Sequence, residues 1–295
     1  MSLFSKLTTQ TKAYLVTALI VLATLGIWQA ATLPKKVTAP TDPIALEYEV
    51  LMGNIPEHTP AGAVVASTES EFPSPKRFAA TAIEHLSDPF YDKGLNDKGI
   101  GIQLSYSIGR VLLGFLLAAL VAIPLGYVLG MSKVLDKAIS PFVQLLKPIS
   151  PLAWMPIALY TIKDSNLSSI FVIFICSVWP MLTNTAFGVA SVRREWLNVA
   201  KTLEVDPLTT AKKIVLPAAA PTIVTGMRIS MGIAWLVIVA AEMLVGGTGI
   251  GYFVWNQWNN LSIVNVIFAV LLIGVVGMVL DWLFALLQKK VSYVE

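Results

Sequence analysis

An all-α, polytopic membrane protein with six transmembrane helices is the fold this sequence predicts, and three observations predict it. The 295-residue chain is 56% hydrophobic and only 13% charged, where a soluble domain carries about 25% charged residues. The apolar residues gather in six long runs, too much for one globular core. Lys and Arg concentrate in the short loops on one side of those runs, as they do on the cytosolic side of membrane proteins.

A run of about 20 apolar residues spans the hydrocarbon of a bilayer at about 1.5 Å per residue. Helix is the only open-chain way to satisfy backbone groups there. The first run, 14–33, holds no charge; Lys6 and Lys12 precede it, and Gln29-Ala30-Ala31 is weakly cleavage-like. Its apolar stretch exceeds the roughly 7–15 residues of a signal-peptide core. Residues 1–33 therefore read as an N-terminal tail and a retained anchor helix.

Residues 34–100 form an outer segment. Its first part, 34–72, is proline-rich without a clean period and reads as extended or loosely ordered chain. Near 75–87 the pattern turns helical, with Phe78, Ala79, Ala82, Ile83 and Leu86 on one face. Ser74 suits the cap and Pro75 the first helical position. This helix is expected to lie on the membrane surface, a position compatible with docking an external binding protein. His58 and His85 lack a Cys or carboxylate frame, so they read as surface residues rather than zinc ligands.

The other five spans lie near 111–130, 138–162, 165–192, 214–241 and 261–280, within a domain covering 101–290. The second, fourth and sixth spans hold no charge; the third holds only Lys147 and the fifth only Arg228. Pro141, Pro148, Pro151 and Pro156 predict a bent third span. With the N-terminus inside, the cytosolic pieces are 1–13, 131–137, 193–213 and 281–295. They carry eleven Lys and Arg, against Lys163 alone in 163–164 and 242–260. Both termini are then cytosolic. Cys176, the one cysteine, sits in an apolar run, so no intrachain disulfide forms.

The cytosolic loop 193–216 reads as two short helices with a break. Trp196, Leu197, Ala200 and Leu203 share one face of the first. Asp206 suits an N-cap and Pro207 the position after it. Leu208, Ala211 and Val215 continue an apolar stripe. Such a pair forms a rigid amphipathic knob, suited to a groove on a partner; the alternative is a surface helix tucked under its own bundle.

This loop resembles the one that permeases of ATP-binding-cassette importers insert into their ATPase subunits. In that family it reads Glu-Ala-Ala, then Gly, then Ile-x-Leu-Pro. Ile214-Val215-Leu216-Pro217 matches the end as it stands, Asn198-Val199-Ala200 occupies Glu-Ala-Ala, and Glu204 occupies the Gly position. Without that glycine, either Glu204 continues the helix and the turn moves to Val205-Asp206, or the knob differs in shape. The resemblance covers roughly 73–290 and is closest to the nitrate, taurine and alkanesulfonate branch, through Lys147-Pro148-Ile149-Ser150-Pro151, Thr225-Gly226-Met227-Arg228 and Glu242-Met243-Leu244-Val245-Gly246-Gly247-Thr248-Gly249. Ser87-Asp88-Pro89-Phe90-Tyr91-Asp92 and Ser177-Val178-Trp179-Pro180 look like the cyanobacterial nitrate permeases and their bicarbonate relatives.

The resemblance implies a type I importer permease fold in a bacterial inner membrane. It also implies a second copy of the chain, two cytosolic ATPases that bind ATP and Mg²⁺, and an external substrate-binding protein; the chain itself holds no cofactor. It assigns ATPase coupling to Asn198, Val199, Ala200, Glu204, Val205, Asp206 and Pro207. Intramembrane cations mark ion pathways or helix anchors, so Lys147 and Arg228 are candidate path residues. Trp154, Trp179, Asn184 and Trp235 are candidates beside them. Arg110 lies near the outer surface, and Glu242 is expected to anchor the Gly-rich turn. Gly246-Gly247-Thr248-Gly249-Ile250-Gly251 follows a membrane helix and lacks dinucleotide-loop spacing, and no P-loop lysine pattern occurs. No catalytic motif points to an enzyme, and no basic stripe points to nucleic acid. The substrate expected is a small anion, nitrate first, with nitrite, bicarbonate, taurine or sulfonates as alternatives. A self-contained secondary transporter or channel would need no docking knob, and no internal repeat supports one.

Overall fold

The chain follows its hydropathy: long apolar runs become long helices, and proline or glycine sets most of the breaks. A computed structural model describes residues 8–33, 36–51, 55–66, 72–94 and 97–291. Among the described residues, five helices are long and apolar enough to cross a membrane, or six when one sharply bent pair is taken as a span. The described residues fall into two compact units, one within Met1–Ser87 with Leu261–Phe268, the other within Asp88–Asn260 with Ala269–Glu295.

In the first unit, helix α1 (Thr9–Ala31) starts at Thr8, whose hydroxyl accepts from the Thr11 N–H at 3.3 Å. None of its residues is buried, as expected of a helix clothed in lipid. At its far end the Trp28 indole donates to the Pro73 carbonyl at 2.9 Å and packs on Phe78, with ring centroids 5.6 Å apart. The described part of 34–72 is more ordered than its composition suggests. Strands β1 (Lys36–Thr38) and β2 (Val64–Ala66) pair antiparallel, with Val37 opposite Val65. Between them lies helix α2 (Pro43–Leu51), whose Ile44 N–H is held by the Asp42 carboxylate at 3.3 Å. Short β-branched pairs and one capped turn suffice here, although no long-range period announces them. Helix α3 (Pro75–Ser87) begins as expected, with the Ser74 hydroxyl accepting from Arg77. Its apolar face divides: Phe78 packs on Trp28, while Ile83 and Leu86 stay exposed.

The core of the second unit is three long helices: α4 (Ile100–Met131), α7 (Ser165–Ala190) and α10 (Leu216–Val245). Small residues let them approach closely, the usual device where lipid removes any hydrophobic drive between helices. A Cβ at Gly126 of α4 would lie 2.6 Å from Thr185 Cβ of α7, and one at Gly226 of α10 would lie 2.7 Å from Asn184 Cβ. Helix α4 starts well before 111 because Gln103, Ser107 and Arg110 extend it as a polar turn that hydropathy does not mark as membrane.

The expected third span is two helices rather than one bent helix. Helix α5 (Lys133–Leu146) and helix α6 (Pro151–Ile162) meet at 91°. Pro148 and Pro151 lack the N–H groups that would carry the ladder through the break. Ser150 is extended, with ψ 136°, and Pro151 opens α6. The segment 242–260, expected only as an outer loop, contains helix α11 (Ile250–Asn259) packed on α10. Helix α12 (Ile263–Val291) runs past the apolar stretch 261–280 and ends on Lys289 and Lys290.

Candidate docking loop and translocation path

Helix α8 (Arg194–Thr202) and the single turn α9 (Pro207–Thr210) form the knob, and a wide π turn (Ala211–Val215) leads into α10. The junction between them is a Schellman cap. Glu204 takes a left-handed φ of 54°, its N–H donates to the Lys201 carbonyl at 3.1 Å, and the Val205 N–H donates to the Ala200 carbonyl at 3.0 Å. The expectation that Glu204 continues the helix and moves the turn to Val205-Asp206 is thus corrected. The residue neither continues the helix nor displaces the turn; it adopts the conformation that a glycine would take, because the two cap bonds close only in that geometry. A non-Gly residue there costs about 1–2 kcal/mol. Glu204→Gly is therefore expected to raise the thermal midpoint of the purified protein slightly, with Glu204→Ala giving no gain. Lower stability for the Gly variant would refute the strain.

Asp206 is extended and its carboxylate accepts from the Thr209 N–H at 2.9 Å. The side-chain and backbone hydrogen bonds from Thr209 hold this acid below the ordinary carboxylate range. The cap is therefore complete above that range and is lost as pH falls through the lowered value.

The apolar stripe expected along the knob divides by depth. Ala200 and Val215 are buried, at 2% and 0% exposure, and Leu197 packs on the cluster of Val189, Val192, Val215, Ala219 and Ile223. Ala200 therefore positions the loop rather than meeting a partner, and a bulky charge there would test folding, not docking. Trp196, Val199, Leu203 and Leu208 stay exposed, at 45%, 57%, 69% and 63%. Asn198, Glu204, Asp206 and Pro207 are exposed too, and Val205 is half-buried. The knob is thus both tucked onto its bundle along one side and apolar at its tip.

The candidate path residues separate in the same way. Arg228 is not uncompensated. Its Nε and Nη2 donate to the two Asp281 oxygens, each at 2.6 Å, and its Nη1 reaches Gln288 at 3.3 Å. Trp235 is buried at 5% exposure with its indole donating to the Ile273 carbonyl, so it joins α10 to α12. The Asn184 amide is spent on Pro180 of its own helix at 2.8 Å. Trp154 and Trp179 are half-buried. Lys147 stands at the α5–α6 break, exposed, and among the described residues no carboxylate pairs with it. Helix α6 packs on α7 through the turn at Lys163. Its 12 residues extend about 18 Å along the helix axis, too short to cross a hydrocarbon layer about 30 Å thick unaided. Irregular backbone such as this break is tolerated within a bilayer where it lines a cavity.

Glu242 organises the other polar centre. It is 1% exposed and accepts from Arg110 Nη1 at 2.7 Å, Ser107 Oγ at 2.8 Å and the Gly251 N–H at 3.0 Å. Arg110 Nη1 also donates to the Thr248 carbonyl, and its Nε to Asn166. The Gly249 and Ile250 N–H groups, which open α11, donate to Gln103 and Ser107. A Cβ on Gly249 would collide with the Glu242 carboxylate. The glycine-rich turn is thus a hub joining α4, α7, α10 and α11. Sequence reasoning found Glu242 and Arg110 but missed Gln103, Ser107 and Asn166; a polar face at the start of an apolar helix was the available signal.

The family of binding-protein-dependent transport system inner membrane components matches residues 104–293. This chain belongs to that family. Its members are the permease subunits of ATP-binding-cassette importers, which work with ATPase and substrate-binding partners and are not themselves enzymes. The nitrate import permease of Synechocystis sp. is 43% identical over 226 residues, covering 77% of this chain and 82% of that protein. The nitrate import permease of Leptolyngbya laminosa is 38% identical over 249 residues, covering 84% and 87%. The bicarbonate transport permease of Synechocystis sp. is 46% identical over 208 residues, covering 70% and 74%. Among solved structures, an inward-facing MetNI methionine transporter chain aligns with a TM-score of 0.58 at 13% identity, covering 65% of this chain and 95% of that one. The fold is the type I importer permease fold.

Proposed function

We propose that this chain forms the transmembrane path of a nitrate importer. It would act as a homodimer, clamped on its cytosolic face by two ATPases that bind ATP and Mg²⁺ and fed by an external binding protein. In that assembly both termini are cytosolic, and the tip formed by Leu203, Glu204, Asp206 and Leu208 enters the ATPase groove. Closure of the ATPases then rocks the bundle as rigid bodies. The observation that favours nitrate is the extent of the likeness. The two nitrate permeases align over 77% and 84% of the chain, the bicarbonate permease over 70%. The higher identity of the bicarbonate relative keeps that anion as the second reading. Lys147, exposed at the α5–α6 break without a paired carboxylate among the described residues, is the candidate cation for the anion, with Trp154 and Trp179 as candidate walls, while Arg228 and Trp235 serve the scaffold.

The test is uptake by a deletion strain carrying the intact transporter. Nitrate uptake that bicarbonate does not compete away is expected, and bicarbonate uptake without nitrate uptake would transfer the assignment. In the same strain Lys147→Gln should slow uptake per folded complex about tenfold, the effect of about 1.4 kcal/mol, and Lys147→Arg should largely preserve it. Unchanged uptake per complex in the Gln variant would remove Lys147 from the path.

A further inference from the structure

A groove of about 460 Å³ at the base of the knob is lined by Trp196, Val199, Lys213, Ile214, Pro217 and Ala218. Four features narrow down what occupies it. Its floor is the π turn and the start of α10, and Lys212 and Lys213 of that turn are the last charges before the apolar run. The groove therefore straddles the boundary between charged loop and hydrocarbon. Trp196 is exposed at its rim, the depth that amphipathic rings favour at a bilayer surface, and the Arg193 guanidinium lies over its ring at 5.6 Å. The lining holds a cation and no carboxylate. Its remaining walls, Val199, Ile214, Pro217 and Ala218, are apolar.

We propose that this groove seats the headgroup of an anionic phospholipid, with the phosphate between Lys213 and Arg193 and the glycerol and upper acyl carbons against Val199, Ile214, Pro217 and Ala218. Juxtamembrane cations gain about 1 kcal/mol each from anionic lipid at the surface. A lipid held there would brace the knob from the membrane side, leaving the Leu203–Leu208 tip free for the ATPase. The inference rests on the chain being a membrane subunit and is independent of the anion it transports.

The whole transporter, permease with ATPases, is stripped of lipid in detergent and titrated with phosphatidylglycerol or phosphatidylcholine, and bound lipid is counted by native mass spectrometry. Phosphatidylglycerol should be retained about 30-fold over phosphatidylcholine, the ratio expected from two such cations. The pair Arg193→Gln with Lys213→Gln should erase most of that preference with the subunits still assembled, and Lys213→Arg should restore it. Both positions are exposed, and the thermal midpoint of each variant is measured beside its lipid count. Equal retention of the two lipids, or an undiminished preference in the double Gln variant, overturns the proposal. Loss of the ATPases from that variant with lipid preference intact would assign the groove to the ATPase instead.

Discussion

Glu242→Gln is expected to cost most of the folded protein. The carboxylate is the shared acceptor for Arg110, Ser107 and the N-terminus of α11, at 1% exposure. An anion at a helix N-terminus also meets the positive end of the helix dipole. The amide is nearly isosteric, so little packing changes. It does remove the charge that compensates Arg110, whose side chain is only 12% exposed. Breaking a buried pair from one side costs about 3–5 kcal/mol, against a total stability of about 5–15 kcal/mol. The loss should appear as reduced monodisperse protein in size exclusion and a lower thermal midpoint. Arg110→Met should do the same from the other side. The two together should recover part of the loss, because neither charge is then stranded. Equal stability of wild type and both single variants would show that the hub is not what holds the glycine-rich turn.

How far the sequence announces these features depends on the distance over which each is decided. Asp206-Pro207 was legible because a cap and a first-position proline act within four residues. The break at Pro148 was legible as a bend, yet a proline-rich stretch does not specify its 91° angle. The pairing of Arg228 with Asp281 joins residues 53 apart on two helices, and no hydropathy pattern specifies which faces meet. Helix α11 was missed because its register depends on Glu242 and Ser107, side chains of other helices that reach its first N–H groups. Glu204 is the converse case: the family's glycine marks a left-handed cap, and the chain keeps that cap without the residue that makes it inexpensive.

Leu203→Glu and Leu208→Glu should each detach the ATPases and abolish transport while leaving the permease folded. Both side chains are exposed, at 69% and 63%, and flank the capped turn at Glu204 and Asp206. Neither joins the buried cluster that fixes the knob to the bundle, so a charge at either position has no folding cost to mask its effect. An exposed leucine on a rigid two-helix tip is the anchor that a helix-in-groove contact requires. Central anchors carry at least about 2 kcal/mol of an interface, which is roughly 30-fold in affinity; a buried carboxylate would add a desolvation penalty. Co-purified ATPase per permease should therefore fall more than tenfold in each variant, with substrate uptake falling in parallel. Ala200→Glu provides the contrast, because its 2% exposure predicts loss of the folded permease itself. Retention of stoichiometric ATPase by both leucine variants would move the docking surface away from the tip of the knob.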